Sequence, residues 1–272
     1  MELAGKTLGF IGAGAMAESI VLGLLKSNTL KSGSIIVSDT DQGRLNYFKD
    51  KFSVDGFDNL SLVEKADIVV LAVKPKVLPD ALSVVAGSFR AEQLLISIAA
   101  GISTSRIEEL AGQDVAVVRV MPNTPSLVNA GASALCAGSH ADGEQLDTAR
   151  VIFDSVGKTV LVPETLMDAV TGLSGSGPAY IFMVIESLID GAVRIGLPGD
   201  IARVLAAQTV LGAAQLVLES GEHPAILKEK VTTPGGTTAA GLYALEKGGT
   251  RRAFIEAVAE AAQRSQELNK MR

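Results

Sequence analysis

The 272-residue chain has one cysteine, two histidines and no tryptophan. A single thiol, Cys136, excludes an intramolecular disulfide framework and suits a reducing compartment. Set in the apolar run 132–137, it reads as a buried, inert side chain. With Asp39, Asp41 and the glutamates scattered and no Cys/His cluster, no metal site is expected. Positive charge is also scarce: 24 Lys plus Arg against 30 Asp plus Glu leave a net charge of −6. That balance opposes nucleic acid or an anionic membrane as partner. No run reaches ~18 uninterrupted apolar residues, so no membrane span is expected. The opening MELAGKTLGFIG, with an acid at position 2 and no long apolar core, does not read as a signal peptide. A cytoplasmic protein is expected, and its 47% hydrophobic residues support a sizeable core.

Two halves of different texture follow. Up to Pro163 short β-branched runs (TLGFIG, SIIVSD, ADIVVLAV, LLISIAAG, VAVVRVMP, ASALCAG and KTVLVP) alternate with amphipathic segments such as 17–26, 42–51 and 142–154. That alternation predicts an α/β domain, a parallel sheet covered on both faces. After Glu164 the strands stop. Segments 179–195, 201–220, 225–231, 239–247 and 251–268 read as helices, punctuated by Gly and Pro. The boundary falls between a first domain, 1–163, and an all-α second domain, 164–272. VLAAQTVLGAAQLVL, from Val204, has few charged positions, and a helix without a polar face must be buried. About 110 residues can hardly cover so much apolar surface. A homo-oligomer built through the C-terminal half is therefore expected, against the alternative of a well-packed monomeric bundle.

TLGFIGAGAMAESI runs from a strand into a helix through Gly12-Ala13-Gly14-Ala15-Met16-Ala17. Gly12 permits the tight turn, Gly14 lets a pyrophosphate approach the backbone, and Ala17 lets helix and strand pack closely. The free N–H groups at the helix start then bind the anion. In that strand–helix context the motif predicts dinucleotide binding. At the end of the second strand, Asp39 suits the two ribose hydroxyls of NADH, whereas a 2′-phosphate would want an arginine or hydroxyls such as Ser38 and Thr40. The nearest arginine, Arg44, is a helix turn away. LAVKP (71–75) and SIAAG (97–101) end two further strands, where ligands of such sheets bind. Lys74 there could neutralise a phosphate or a substrate carboxylate, or be an ordinary surface lysine.

GFIGAGAMAESI, VRVMPNTP, GLSGSGPAYIF and LKEKVTTPGGTTAAGLYALEKGG occur in that order. Together they resemble the pyrroline-5-carboxylate reductases, NAD(P)H enzymes that close proline biosynthesis, over essentially the whole chain. The resemblance implies a Rossmann domain followed by a helical domain that interleaves with its twin in a homodimer, which can assemble further into a decamer. It implies cofactor contacts at Ile11, Gly12, Ala13, Gly14, Ala15, Met16, Ser38, Asp39, Asn59, Ala72, Val73, Lys74, Pro75, Ile98, Ala99 and Ala100. It implies substrate contacts at Val231, Thr233, Gly236, Thr237 and Thr238, reaching a neighbouring subunit's cofactor. Many members favour NADPH and carry a hydroxyl or arginine after the second strand; this chain has Asp39. Asn123, in MPNTP, either orients the nicotinamide or shapes a turn.

A cyclic imino acid presents a carboxylate to hold and a C=N bond to reduce. In VTTPGGTT, Pro234 cannot continue a helix, and Gly235-Gly236 accept backbone angles closed to other residues. The next helix then starts near Gly236 with up to four N–H groups lacking helical partners. Those donors form a carboxylate site that needs no arginine. Thr238, in the first turn, is the nominee for hydrogen-bonding the ring nitrogen. A threonine hydroxyl is a poor acid, so solvent relay or a preprotonated iminium supplies the proton, and the site supplies positioning and desolvation. The bland alternative is a helix–helix connection with a threonine cap. His140 and His223 both read as surface-loop residues. Ser174 and Ser176 have no His/Asp partners to make either a nucleophile.

Two other readings remain. A β-hydroxyacid dehydrogenase or broad imine reductase would share the architecture, but the acid-base lysine of those dehydrogenases is replaced here by Ile181. A non-catalytic dinucleotide sensor would explain the N-terminal motif and leave the Pro-Gly-Gly-Thr-Thr elbow without a role.

Overall fold

Every β-branched run of the first half becomes a strand of one sheet. The computed structural model describes residues 3–112 and 114–270. Its strands are β1 (Leu8–Ile11), β2 (Ile35–Ser38), β3 (Asp55–Gly56), β4 (Ile68–Leu71), β5 (Leu94–Ser97), β6 (Ala116–Met121), β7 (Gly131–Ala137) and β8 (Gly157–Leu161). They lie in the order β3-β2-β1-β4-β5-β6-β7-β8. The helices are α1 (Ala15–Lys26), α2 (Gln42–Phe52), α3 (Asn59–Lys65), α4 (Leu78–Ser83), α5 (Thr104–Ala111), α6 (Gly143–Asp154) and α7 (Met167–Val170). There follow α8 (Gly177–Arg194), α9 (Gly199–Ser220), α10 (Pro224–Lys230), α11 (Thr237–Lys247) and α12 (Thr250–Lys270).

β1 to β6 pair in parallel. Their alternate residues feed two cores. Leu8, Phe10, Ile35, Val37, Ile68 and Val70 pack with α1, α2 and α6 on one face. Ile11, Ile36, Val69 and Leu71 pack with α3, α4 and α5 on the other. The expected doubly covered sheet is present, in the Rossmann strand order 3-2-1-4-5-6. One expectation is corrected. β7 runs antiparallel to β6, with Val118 opposite Ala137 and Met121 opposite Ala134. Met121 and Gly131 are joined by one short turn, Thr124–Val128, and a parallel return needs a crossover of roughly a dozen residues or more.

From β1 the chain builds outward through β2 and β3, then restarts on the other side with β4. That reversal opens a crevice at the carboxyl ends of β1 and β4, where open α/β sheets bind ligands.

Two compact units are distinguished. One holds the sheet up to Ser176 together with the end of α12 from Glu260; the other is Gly177–Ala259. In the second unit α8 packs along α9, and the Tyr180 hydroxyl donates to the Ala257 carbonyl at 3.3 Å. Its helices do not bury their apolar residues within the chain: α8 has no buried residue, and α9 buries only Ala202 and Ala206. Leu205, Leu211, Leu216 and Leu218 are all more than half exposed. By length and composition, Glu164–Arg194 and Gly199–Ser220 are apolar enough to cross a membrane, although neither holds ~18 uninterrupted apolar residues.

Candidate active site: a glycine-lined crevice and a threonine elbow

The turn after β1 is threaded between its neighbours. The Gly12 N–H donates to the Ser38 carbonyl at 2.8 Å, and the Ala72 N–H donates to the Ile11 carbonyl at 2.8 Å. Gly12 has φ +102°, and a Cβ there would lie 2.7 Å from the Ala72 carbonyl oxygen. Gly14 differs. It caps α1 at φ −77°, ψ −175°, angles open to any residue, and a Cβ would meet no atom within 4 Å. Neither backbone strain nor packing requires glycine at 14; the open space above it is what a pyrophosphate would fill. With no side-chain cap on α1, the N–H groups of its first turn are left for that anion. Ala17 is fully buried beneath them.

Beside this turn a cavity of about 270 Å³ is lined by Ile11, Ser38, Asp39, Asn59 and Val73, with Val77 and Asp80 from the start of α4. Ser38 is buried and donates to Asn59 Oδ1 at 2.7 Å, so each fixes the other. Asp39 accepts from the Ala13 N–H at 2.7 Å and the Asp41 N–H at 2.9 Å, and its remaining lone pairs can accept ribose hydroxyls. Two carboxylates, Asp39 and Asp80, line this cavity, and among the described residues no lysine or arginine does. Thr40 lines it too. Sequence reasoning missed Asp80; its signal is an acid in the first turn of a helix that follows a ligand-side strand end.

Further along the strand ends, Pro75, Ala100 and Gly101 line a second cavity of about 240 Å³ with Thr171, Ser176 and, from α12, Arg264. Lys74 is exposed just past β4, Ala72 and Val73 are half-buried, and Ile98 and Ala99 follow β5. Glu164 ties α5 to β6. It accepts from the Thr104 N–H at 2.8 Å, the Thr104 hydroxyl at 2.7 Å and the buried Arg119 at 3.1 Å. Arg119 and Thr104 form a tie that sequence reasoning did not single out. Burial and the nearby Glu164 push the Cys136 thiol up to about 11, which keeps it protonated and unreactive. Both ends of the Asn123 amide are taken: Nδ2 donates to the Ser174 carbonyl at 3.0 Å, and Oδ1 accepts from the Ala132 N–H at 2.9 Å. In this structure Asn123 ties β7 to the turn 171–175.

In the second unit, Val231 closes α10, and Thr232 Oγ1 donates back to the Lys228 carbonyl at 2.7 Å. Gly235 takes φ +68°, and the Gly236 N–H donates to the Thr233 carbonyl at 3.0 Å. Gly236 then caps α11 at φ −77°, ψ 170°, with no side-chain cap. The first intrahelical bond comes from the Ala240 N–H, so the N–H groups of Thr237, Thr238 and Ala239 have no helical partner. Val231, Thr233 and Thr237 are exposed and Thr238 is half-buried. The helix start that the sequence predicts near Gly236 is where it is expected, and its geometry repeats that of Gly14.

The histidines have local partners. His223 Nδ1 accepts from the Ala225 N–H at 3.2 Å as the cap of α10, and His140 Nε2 lies 3.5 Å from Asp114. Ser174 Oγ donates to the Val170 carbonyl at 3.1 Å.

Known proteins match along the whole chain. The family described as pyrroline-5-carboxylate reductase dimerisation matches residues 164–268, and that described as NADP oxidoreductase coenzyme F420-dependent matches residues 7–101. The pyrroline-5-carboxylate reductase of Synechocystis sp. is 49% identical, covering 97% of this chain and 98% of its own. The solved pyrroline-5-carboxylate reductase of Coxiella burnetii superposes with a TM-score of 0.89 at 39% identity, covering 97% of this chain and 98% of that one. The pyrroline carboxylate reductase of Plasmodium falciparum, solved with NADP bound, gives 0.87 at 32% identity over 99% of each chain.

Proposed function

The chain belongs to the pyrroline-5-carboxylate reductase family, and we propose on that premise that it reduces 1-pyrroline-5-carboxylate to L-proline with NADH or NADPH, the last step of proline biosynthesis. When bound, the reduced nicotinamide supplies a hydride for the imine carbon. The chain's own residues bind and orient. The bare N-terminus of α1 holds the pyrophosphate above Gly14, and Asp39 accepts the adenosine ribose hydroxyls. Residues 72–75 and 98–100, at the strand ends, would hold the nicotinamide half. Because acids line the ribose cavity without a counter-cation, NADH is well accepted.

The elbow holds the substrate. N–H groups of Thr237 and Thr238 bind its carboxylate, with the helix dipole behind them, while Val231, Thr233 and Gly236 shape the bend. The Thr238 hydroxyl hydrogen-bonds the ring nitrogen and orients the C=N face. A hydroxyl of high pKa does not protonate the imine, and both histidines are engaged locally. The ring therefore enters as the iminium or takes its proton from water; hydride at carbon and proton at nitrogen together give the amine. Lys74 adds positive charge near the strand ends. Ile181, in place of an acid-base lysine, weighs against the hydroxyacid dehydrogenase alternative.

The exposed apolar sides of α8 and α9 meet a second copy rather than lipid, and the dimerisation match at 164–268 supports that reading. The same match supports starting the helical domain near residue 164. In the dimer, the elbow of one protomer serves the nucleotide of its partner, and dimers build a decamer in the cytoplasm. The observation that carries the proposal is the elbow's bare helix start, which offers backbone donors and hydroxyls without a fixed charge. The test follows NADH absorbance with 1-pyrroline-5-carboxylate. Wild type consumes NADH only when the imine is present, and Thr238→Ala loses roughly 10²-fold in kcat while binding NADH normally. Wild-type turnover in that variant would remove the hydroxyl from the mechanism, and imine-independent behaviour of the wild type would favour a sensor.

A further inference from the structure

Both backbone polar groups of Ala13, at the centre of the phosphate turn, are held by side chains. Its N–H donates to Asp39 Oδ2 at 2.7 Å, and its carbonyl accepts from Arg44 Nε at 2.7 Å. Arg44 comes from α2 and is itself immobilised. Its Nη2 donates to Glu18 Oε2 at 2.9 Å, and its guanidinium lies 4.8 Å from the Tyr47 ring centre and 5.5 Å from that of Phe48.

Glu18 makes this arrangement informative. It sits in the first turn of α1, the end that must attract a doubly charged pyrophosphate. A carboxylate there stabilises the helix alone but repels the ligand. Burial opposes its ionisation, yet hydrogen bonds from Tyr47, Arg44 and Lys51 outweigh that and hold its pKa at about 2, so it is charged whenever the protein works. Arg44 and Lys51, at 2.9 Å each, are the cations that offset it. The site tolerates an acid beside its anion because a clamp of fixed geometry neutralises it.

We propose that Arg44 is a positioning residue for the dinucleotide pyrophosphate: it locks the Ala13 peptide so that the donors after it converge on the anion, and it screens Glu18 from that anion. It acts through the loop rather than on the reacting atoms. The inference rests on the dinucleotide-binding part of the proposed function and is independent of the imine chemistry.

The test measures calorimetric Kd for ADP-ribose, which carries the pyrophosphate and no reacting ring, and separately the steady-state constants for NADH and the imine. In Arg44→Ala, Kd for ADP-ribose and KM for NADH both rise about tenfold, as expected for losing a charge-assisted hydrogen bond and exposing Glu18. The loss falls on those constants and not on kcat or on KM for the imine. Arg44→Lys, which keeps charge near Glu18 without the fork to Ala13, loses less. Adding Glu18→Gln to Arg44→Ala recovers part of the affinity. Arg44→Ala that binds ADP-ribose within about twofold of wild type overturns the proposal, as does a rise in imine KM equal to that for NADH. If Arg44→Ala fails to fold, Arg44→Lys decides: wild-type affinity for ADP-ribose overturns the role of the fork. Should wild type bind ADP-ribose but never turn over the imine, the proposed reaction falls and Arg44 is still tested.

Discussion

Gly12 and Gly14 stand two positions apart and are glycine for different reasons. At Gly12, φ is +102° and a Cβ would press within 2.7 Å of a backbone oxygen; at Gly14 the angles are ordinary and the space is open. Gly12→Ala is therefore expected to lose roughly 2–4 kcal/mol of stability, since it combines left-handed strain with a clash. Gly14→Val should lose at most ~1 kcal/mol and yet abolish NADH binding, because its side chain takes the place of the pyrophosphate. Thermal melts and NADH titrations of the two variants check the contrast; a strongly unstable Gly14→Val would show that the position serves packing. Asp39 accepts from the Ala13 N–H, and the proposed function gives it the ribose hydroxyls as well. Asp39→Ser should shift the kcat/KM ratio toward NADPH while raising KM for both nucleotides, and an unchanged ratio would count against ribose reading. The glycines and Asp39 were legible in the sequence because local spacing carries them. The Ala13–Arg44–Glu18 clamp was not, since it joins three elements that only the fold brings together.

Elements show the same division. Seven strands announced themselves by β-branched runs, and β3 did not, because Asp55-Gly56 has no hydrophobic run and gains its place only by pairing with Ile36 and Val37. Helices α3, α4 and α5 are too short for an obvious period. Reversal of β7 is set by the length of its connection and not by its own residues. The α1–α2 pair carries a pH signature. Glu18 has its folded pKa lowered from 4.5 to about 2, so the stability it contributes is complete above about pH 4.5 and is lost as pH falls toward 2. Urea midpoints measured between pH 5 and pH 2 should fall less steeply in Glu18→Gln than in wild type. Equal slopes would show that Glu18 contributes no such term.

For the whole molecule, the oligomer is foreshadowed by an apolar excess that one chain cannot cover, and the structure locates that excess on α8 and α9. Val204 and Leu211, seven residues apart on one face of α9, are 63% and 56% exposed. Changing both to Glu should convert the assembly to monomers in sedimentation velocity, leaving the nucleotide-binding unit folded; an unchanged sedimentation coefficient would place the interface elsewhere. At this scale two glycine-capped helix starts, at α1 and α11, share one geometry, and the proposed function assigns one anion of the reaction to each. The measurement that tests this most directly is a crystal structure of the protein with NADH and a proline analogue that cannot react. The account predicts pyrophosphate at the N–H groups following Gly14 and the analogue's carboxylate at those of Thr237 and Thr238, its ring facing the nicotinamide of the partner protomer. A carboxylate held instead by Lys74 or another fixed cation, away from the elbow, would contradict it.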